Sequence, residues 1–157
     1  DNILATSEKH FRAVCEMLKR QKQRAVFSGG LEPALLQQWQ ADLLREVNPA
    51  RIYTAYDTKD DLEPLIEMGK KLQNAGFRHS AHSMCCYVLI GYDGDSFEDA
   101  EKRLNQTIEA GFVPYAMLYR GEDGKYDPDW RRFQREWCRP IITGKKFNEY
   151  WREKRDE

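Results

Sequence analysis

The side chains best able to do chemistry fall at the ends of short apolar runs. They are Asp1 and Asn2, Ser28, Gly29, Gly30, Leu31 and Glu32, Tyr56 and Asp57, residues 91–95 from Gly91 to Asp95, and Tyr119 with Arg120. The set is acidic, amide-rich and glycine-rich. It lacks a nucleophile, base and orienting group, because no serine has a histidine that the spacing places beside it. Ser28-Gly29-Gly30 has two readings. Its backbone N–H groups suit an anion at the start of the following helix, and the same glycines suit a tight strand-to-helix turn. The triplet matches neither the Walker sequence nor the dinucleotide fingerprint. Asp57 also has two readings, as an acceptor for ribose hydroxyls at a strand end or as a cap for a helix that begins near Asp60. His79, His82, Cys85 and Cys86 have the types of metal ligands. Alternation along a strand puts Cys85 and Cys86 on opposite faces, however, so the reading is two small buried side chains with the histidines in the loop before them, and no metal site.

These residues need elements to position them. Tyr87, Val88, Leu89 and Ile90, closed by Gly91, suit a parallel strand buried on both faces. Ser96 as N-cap with Asp99 three residues on starts a helix at once, running to Ala110 with Gly111 behind it. Earlier, Thr6 or Ser7 caps a helix carrying Phe11, Val14, Cys15 and Leu18, and the basic run 19–24 is its solvated end. Residues 25–27 form a strand that stops at Ser28, and Glu32-Pro33 opens a helix with the stripe Leu36, Trp39, Leu43 and Val47. Residues 51–56 are a strand, and residues 60–75 are a helix ended by Gly76. A last strand spans residues 114–119. The aromatic, basic stretch 122–157 makes a helical tail of two helices packed on the same domain, its aromatics mostly core. Trp130, Arg131, Arg132 and Trp137 are its candidates for substrate contact.

Strand ends near residues 28, 56, 91 and 119 lie about thirty residues apart, the repeat of βαβ units. The chain is therefore expected to be α/β, with a parallel sheet of about four or five strands and right-handed crossovers. A doubly wound sheet and a partial (βα) TIM-like barrel both fit; four strands cannot close a barrel. In either, the strand ends converge on one face.

The 157 residues suit one domain, and 25 basic against 26 acidic residues give a formal charge of −1. That balance does not favour nucleic acid. No run of about 18 apolar residues exists, so no membrane span is expected. Four scattered or adjacent cysteines fit free thiols in a reducing compartment, and the chain reads as cytoplasmic. Beginning at Asp1 without methionine, it reads as the later part of a longer protein.

The motifs Asp1-Asn2-Ile3-Leu4-Ala5, Phe27-Ser28-Gly29-Gly30-Leu31-Glu32, Tyr56-Asp57-Thr58 and the stretch 87–100, in that order and spacing, resemble the later strands of the radical S-adenosylmethionine (radical SAM) enzymes. Leu89-Ile90-Gly91-Tyr92-Asp93-Gly94-Asp95-Ser96 is similar to that superfamily's fifth-strand motif, hydrophobic-hydrophobic-Gly-Phe-Pro-Gly-Glu-Thr, with Asp93 where proline is usual. The likeness spans residues 1–121. It implies a parent enzyme that reductively cleaves S-adenosylmethionine to a 5'-deoxyadenosyl radical, which abstracts a substrate hydrogen. It further implies that Asp1 and Asn2 lie near the cofactor's amino group, that Asp57 contacts the ribose, and that Leu89, Ile90 and Gly91 line the adenine. Ser28, Gly29, Gly30, Leu31, Tyr119 and Arg120 would face the substrate, Arg120 being suited to a carboxylate or phosphate.

One departure from that family bears on activity. The hallmark Cys-x-x-x-Cys-x-x-Cys, whose thiolates hold a 4Fe-4S iron-sulfur cluster, does not occur, and Cys15, Cys85, Cys86 and Cys138 do not supply its spacing. The expectation is that those ligands belong upstream and that this chain alone generates no radical. The alternative is a non-redox α/β module binding a nucleotide or a partner. The substrate is not legible, and open edges of a truncated barrel imply self-association.

Overall fold

The structure, a computed structural model, describes residues 2–80, 83–121, 124 and 127–156. Asp1 and His82 lie outside those residues, as do residues 122, 123, 125 and 126 of the turn-rich stretch before the tail.

Four strands form one parallel sheet in the order β1 (Val26–Leu31), β2 (Arg51–Tyr56), β3 (Met84–Ile90) and β4 (Val113–Leu118). Helix α1 (Glu8–Lys19) precedes them. Helices α2 (Gln38–Val47), α3 (Leu62–Asn74) and α4 (Phe97–Glu109) make the crossovers, and α5 (Pro128–Trp137) and α6 (Pro140–Asp156) follow. This is the expected α/β arrangement of βα units. No helix among the described residues is long and apolar enough to cross a membrane.

Burial separates the two sheet faces. Ile52, Thr54 and Tyr56 of β2, Met84, Cys86, Val88 and Ile90 of β3, and Pro114 and Ala116 of β4 are buried. Of the alternate residues, Cys85 and Val113 at the strand starts are buried, but Tyr53, Ala55, Tyr87 and Leu89 are half-buried and Tyr115 and Met117 are exposed. A doubly wound sheet buries both faces, so this arrangement is the open part of a barrel. It also corrects the reading of 87–90 as buried on both sides. The side chains Tyr87 and Leu89 stand on the uncovered face, where Tyr87 stacks on Tyr53 (centroids 4.9 Å) and meets Tyr115 edge-on (5.9 Å). Such a ladder shields part of each ring without a second layer.

Helix α4 shows how the covered face is built. Ser96 Oγ accepts from the Asp99 N–H (3.1 Å) and donates to the Asp99 carboxylate (2.9 Å), so the start read from sequence is the start observed. Ala100, Arg103, Leu104, Thr107 and Ile108 then make its buried stripe at helical spacing. Gly69 of α3 lies against the Ala110 carbonyl oxygen, an approach that leaves no room for a Cβ.

Two elements differ from expectation. Strand β1 does not stop at Ser28 but continues through Gly29 and Gly30 to Leu31, with a register irregularity between Phe27 and Leu31. Gly30 absorbs the irregularity with φ +78, and Leu31 rejoins the sheet because its carbonyl accepts from the buried Thr54 hydroxyl at 2.7 Å. Pro33 starts only a 3-10 turn (Pro33–Leu35); α2 begins at Gln38, where the Gln37 N–H donates to Gln40 Oε1 (2.9 Å). Its buried face is consequently Gln40, Ala41, Leu44 and Val47.

The tail packs on the β4 side of the sheet. Gln134 Nε2 donates to the Ala116 carbonyl (3.1 Å) and Trp151 Nε1 to the Ile108 carbonyl (3.1 Å), while Trp137 and Phe147 are buried. The edge carbonyl of β4 at Ala116 thus has a side-chain donor.

Candidate functional site

Because the strands are parallel, everything that follows a strand emerges along one edge of the sheet. At β1 that edge holds Gly30 and Leu31, with Asn2 beside them, its amide donating to the Gly30 carbonyl at 3.5 Å. The same Asn2 caps the 3-10 turn Ile3–Ala5 through the Leu4 N–H. Asp57 follows β2, Gly91 follows β3, and Tyr119 and Arg120 follow β4. With strands about 4.8 Å apart, β1 and β4 end roughly 14 Å from each other. Of the predicted residues, Leu89, Tyr119 and Arg120 share one cleft at the ends of β3 and β4, while Asn2, Gly30 and Leu31 gather at the end of β1 and Asp57 follows β2 between them.

The β3–β4 cluster surrounds a cleft of about 550 Å³ lined by Leu89, Met117, Leu118, Tyr119, Arg120, Arg131 and Gln134. Leu89 enters from the open face. Met117 and Tyr119 leave more than two-fifths of their surface exposed there (43% and 44%), so the walls are apolar and aromatic. Two guanidinium groups and one amide supply the polar side. A cleft of this size and lining suits a flat apolar group carrying an anionic or hydrogen-bonding end.

Trp130 lies against the turn at Gly91. Gly91 has φ +73, and a Cβ there would lie 2.9 Å from Leu118 Cδ1 and 3.0 Å from Trp130 Cδ2. The indole is held from behind by Phe97 (4.3 Å) and Phe133 (5.8 Å). Of the tail candidates, then, Trp130 covers the glycine and Arg131 lines the cleft. Trp137 is core, with Lys146 over its ring, and exposed Arg132 lies 3.7 Å from Asp129. Gln134 and Met117 were not legible as site residues. The signal available for Gln134 was its helical spacing from Trp130 and Arg131.

The turn after β3 is fixed from within. The Asp95 side chain is 1% exposed; its Oδ2 accepts from the Gly91 N–H and from Arg103 Nη2, both at 2.8 Å, and its Oδ1 from the Ser96 N–H at 3.0 Å. Arg103 Nη2 also donates to the Leu89 carbonyl (3.1 Å), and its guanidinium lies 5.2 Å over the Tyr92 ring. The pair is buried with most carboxylate positions filled, the condition under which such a pair holds geometry. The Ile90 carbonyl accepts from the Tyr119 N–H (2.9 Å), and the Ile90 side chain is buried in the core. Of the three residues expected along the adenine, Leu89 alone presents its side chain to the cleft.

Asp57 is exposed. Its N–H and that of Thr58 both donate to Asp61 Oδ2 (3.0 and 2.7 Å), so Asp61 does the capping that was one reading of Asp57. Desolvation, then the Asp61 charge, hold the Asp57 carboxyl above its ordinary range. Ser28 and Gly29 are exposed on β1, and a Cβ at Gly29 or Gly30 would meet nothing within 4 Å. These glycines lie within the strand, which removes the reading of a turn before a helix N-terminus.

No three His, Cys, Asp or Glu side chains converge as metal ligands among the described residues. Cys15, Cys85 and Cys86 sit on α1 and on both faces of β3, buried, and burial pushes each thiol upward, Cys86 furthest. Half-buried Cys138 ends α5, and thiols spread over α1, the two faces of β3 and the end of α5 do not converge as the thiolates of an iron-sulfur cluster must. Set against known protein families, functionally characterised proteins and solved structures, the chain matches none.

Proposed function

We propose that this chain forms the later βα units of a partial barrel of the radical SAM type, and that the cleft at the ends of β3 and β4 receives the adenosyl part of S-adenosylmethionine. The observation that carries this reading is the meeting of Leu89, Tyr119 and Arg120 around one cleft of about 550 Å³ on the uncovered sheet face. Leu89 and Met117 offer an apolar wall to a purine, Tyr119 a ring to stack against it, and Arg120 with Arg131 a cationic end. Asp57 follows β2, one strand from β3, and would meet the ribose hydroxyls on this reading. The chain's share is to bind and orient. Its own thiols do not fit the iron-sulfur cluster, so radical generation does not fall to this chain.

The test is a titration of the ¹⁵N-labelled chain with S-adenosylhomocysteine, a redox-inert analogue, followed by amide shifts. Saturable shifts at Asp57, Gly91, Tyr119 and Arg120 are expected. Shifts confined to other elements, or none up to the solubility limit, would reject the reading. Equal binding of adenosine monophosphate would instead support a non-redox nucleotide-binding module.

A further inference from the structure

We propose a second binding site, for a phosphate-type oxyanion, on the helix side of the sheet between the entry to α3 and the middle of α4. A cleft of about 240 Å³ lies there, lined among others by Lys59, Asp99, Lys102, Arg103 and Gln106. None of these residues lines the cleft at the ends of β3 and β4.

The argument starts at Arg103, which the stripe of α4 turns inward until its side chain is 3% exposed. Its hydrogen bonds to Asp95 and to the Leu89 carbonyl both use Nη2. Nε and Nη1 are buried and have no acceptor. A guanidinium has donors in a fixed planar fork, so N–H groups left over on one side cannot rotate to share the acceptors on the other. Buried donors are nearly always paired, which calls for an acceptor at this place.

The surroundings specify what kind. Lys59 and Lys102 are exposed at the rim, with no ion pair or hydrogen bond among the described residues. Gln106 accepts from the Tyr56 hydroxyl through Oε1 (3.0 Å), which leaves its Nε2 as a donor. Asp99 is the carboxylate on the wall, and its Oδ2 is engaged by Ser96 Oγ. Four side chains lining the cleft, Lys59, Lys102, Arg103 and Gln106, thus carry donors. A tetrahedral oxyanion has acceptors to match, while a planar carboxylate has two oxygens in one plane. The volume equals about eight water molecules and falls below the range of about 300–1,000 Å³ for whole small-molecule ligands. It suits a phosphate group, either free phosphate or the terminal phosphomonoester of a larger molecule that projects into solvent.

The test uses the full chain labelled with ¹⁵N-arginine and follows the Nε–H resonance of Arg103. One arm adds sodium phosphate, a second adds glycerol 3-phosphate, and sodium chloride at matched ionic strength is the control. Saturable movement with phosphate or the ester, absent with chloride, is expected. Affinity should fall at least about tenfold in the Lys59→Gln/Lys102→Gln double variant, whose exposed substitutions leave the thermal melt unchanged. Tighter binding of the ester identifies a phosphomonoester as the ligand, and equal or weaker binding identifies free phosphate. A resonance unmoved by both ligands, or one that moves alike in parent and double variant, overturns the proposal. Retained binding of S-adenosylhomocysteine in that variant separates this outcome from any failure of the adenosyl site.

Discussion

Replacing Gly91 by alanine should be among the most damaging small changes in the chain, and the structure separates its two costs. The residue has φ +73, a region that costs an L-residue about 1–2 kcal/mol. The added Cβ would also stand 2.9 Å from Leu118 Cδ1 and 3.0 and 3.1 Å from Trp130 Cδ2 and Cγ. Those atoms belong to a branched side chain and to an indole wedged by Phe97 and Phe133, so neither yields easily. Overpacking of that kind costs about 1–3 kcal/mol. The sum, about 2–5 kcal/mol, is a large part of the roughly 5–15 kcal/mol that holds a domain folded. Gly94 provides the control within the same turn. Its φ is +81, yet a Cβ there meets nothing within 4 Å, so Gly94→Ala carries the backbone cost alone. Urea unfolding of both variants at unchanged m gives the comparison directly. Gly91→Ala should lose more than Gly94→Ala, and adding Trp130→Ala should return part of the difference in a double-mutant cycle. Equal losses at the two glycines would refute the claim that the tail is seated on the end of β3.

Four further outcomes are expected. Gly69→Ala, whose Cβ would collide with the Ala110 carbonyl oxygen, should cost about 3 kcal/mol in the same urea assay, because neither backbone can withdraw. His79 lies on Trp151 with ring centroids 3.5 Å apart, and burial first, then Arg155, depress its pKa below 6.5; the stability conferred by the neutral imidazole is therefore present above that value and lost as pH falls through the depressed one. His79→Phe should match the parent at pH 8 and exceed it at pH 5, and a gap independent of pH would contradict the assignment. Asp57 behaves oppositely, since its raised carboxyl binds a proton more tightly when folded, so stability falls as pH rises from 3.8 through the raised value; Asp57→Asn should melt higher than the parent at pH 7 and alike at pH 3. Finally, Tyr115→Glu and Met117→Glu, both on the uncovered face, should lower self-association in sedimentation velocity, and a parent that is monomeric at every concentration would remove that expectation.

What the sequence revealed and concealed follows the range of the interactions involved. Strand β2 is read to the residue, and the start of α4 with it, because β-branched and aromatic residues at 51–56 and the Ser96–Asp99 pair act on their immediate neighbours. Gly29 and Gly30 read as a stop for β1, and that reading fails because Thr54, on another strand, recovers Leu31 for the sheet. Pro33 reads as a helix start and yields one turn, since Gln40 caps a better start five residues on. The open face is concealed for a related reason. Tyrosine and leucine tolerate either side of a sheet, so Tyr87 and Leu89 carry no mark of which face has a covering layer. Within the candidate site, Leu89, Tyr119 and Arg120 are legible as strand ends and Arg131 as a tail candidate, whereas Met117 lies inside β4 with no mark of its face, and Gln134 joins them only because α5 folds back along β4.

Arg103 is the hardest of these to foresee and the most informative once placed. A guanidinium at a position of α4 flanked by Ala100, Leu104 and Thr107 contradicts its own stripe unless a carboxylate meets it. Asp95 does so, eight residues back and across the turn, while it also accepts the Gly91 N–H. The Gly91 turn is therefore tied to the helix that follows it rather than to anything in the cleft. On the proposed reading, binding at the ends of β3 and β4 would have little backbone left to order in that turn, and the affinity of the cleft should depend on Leu89, Tyr119 and the two arginines.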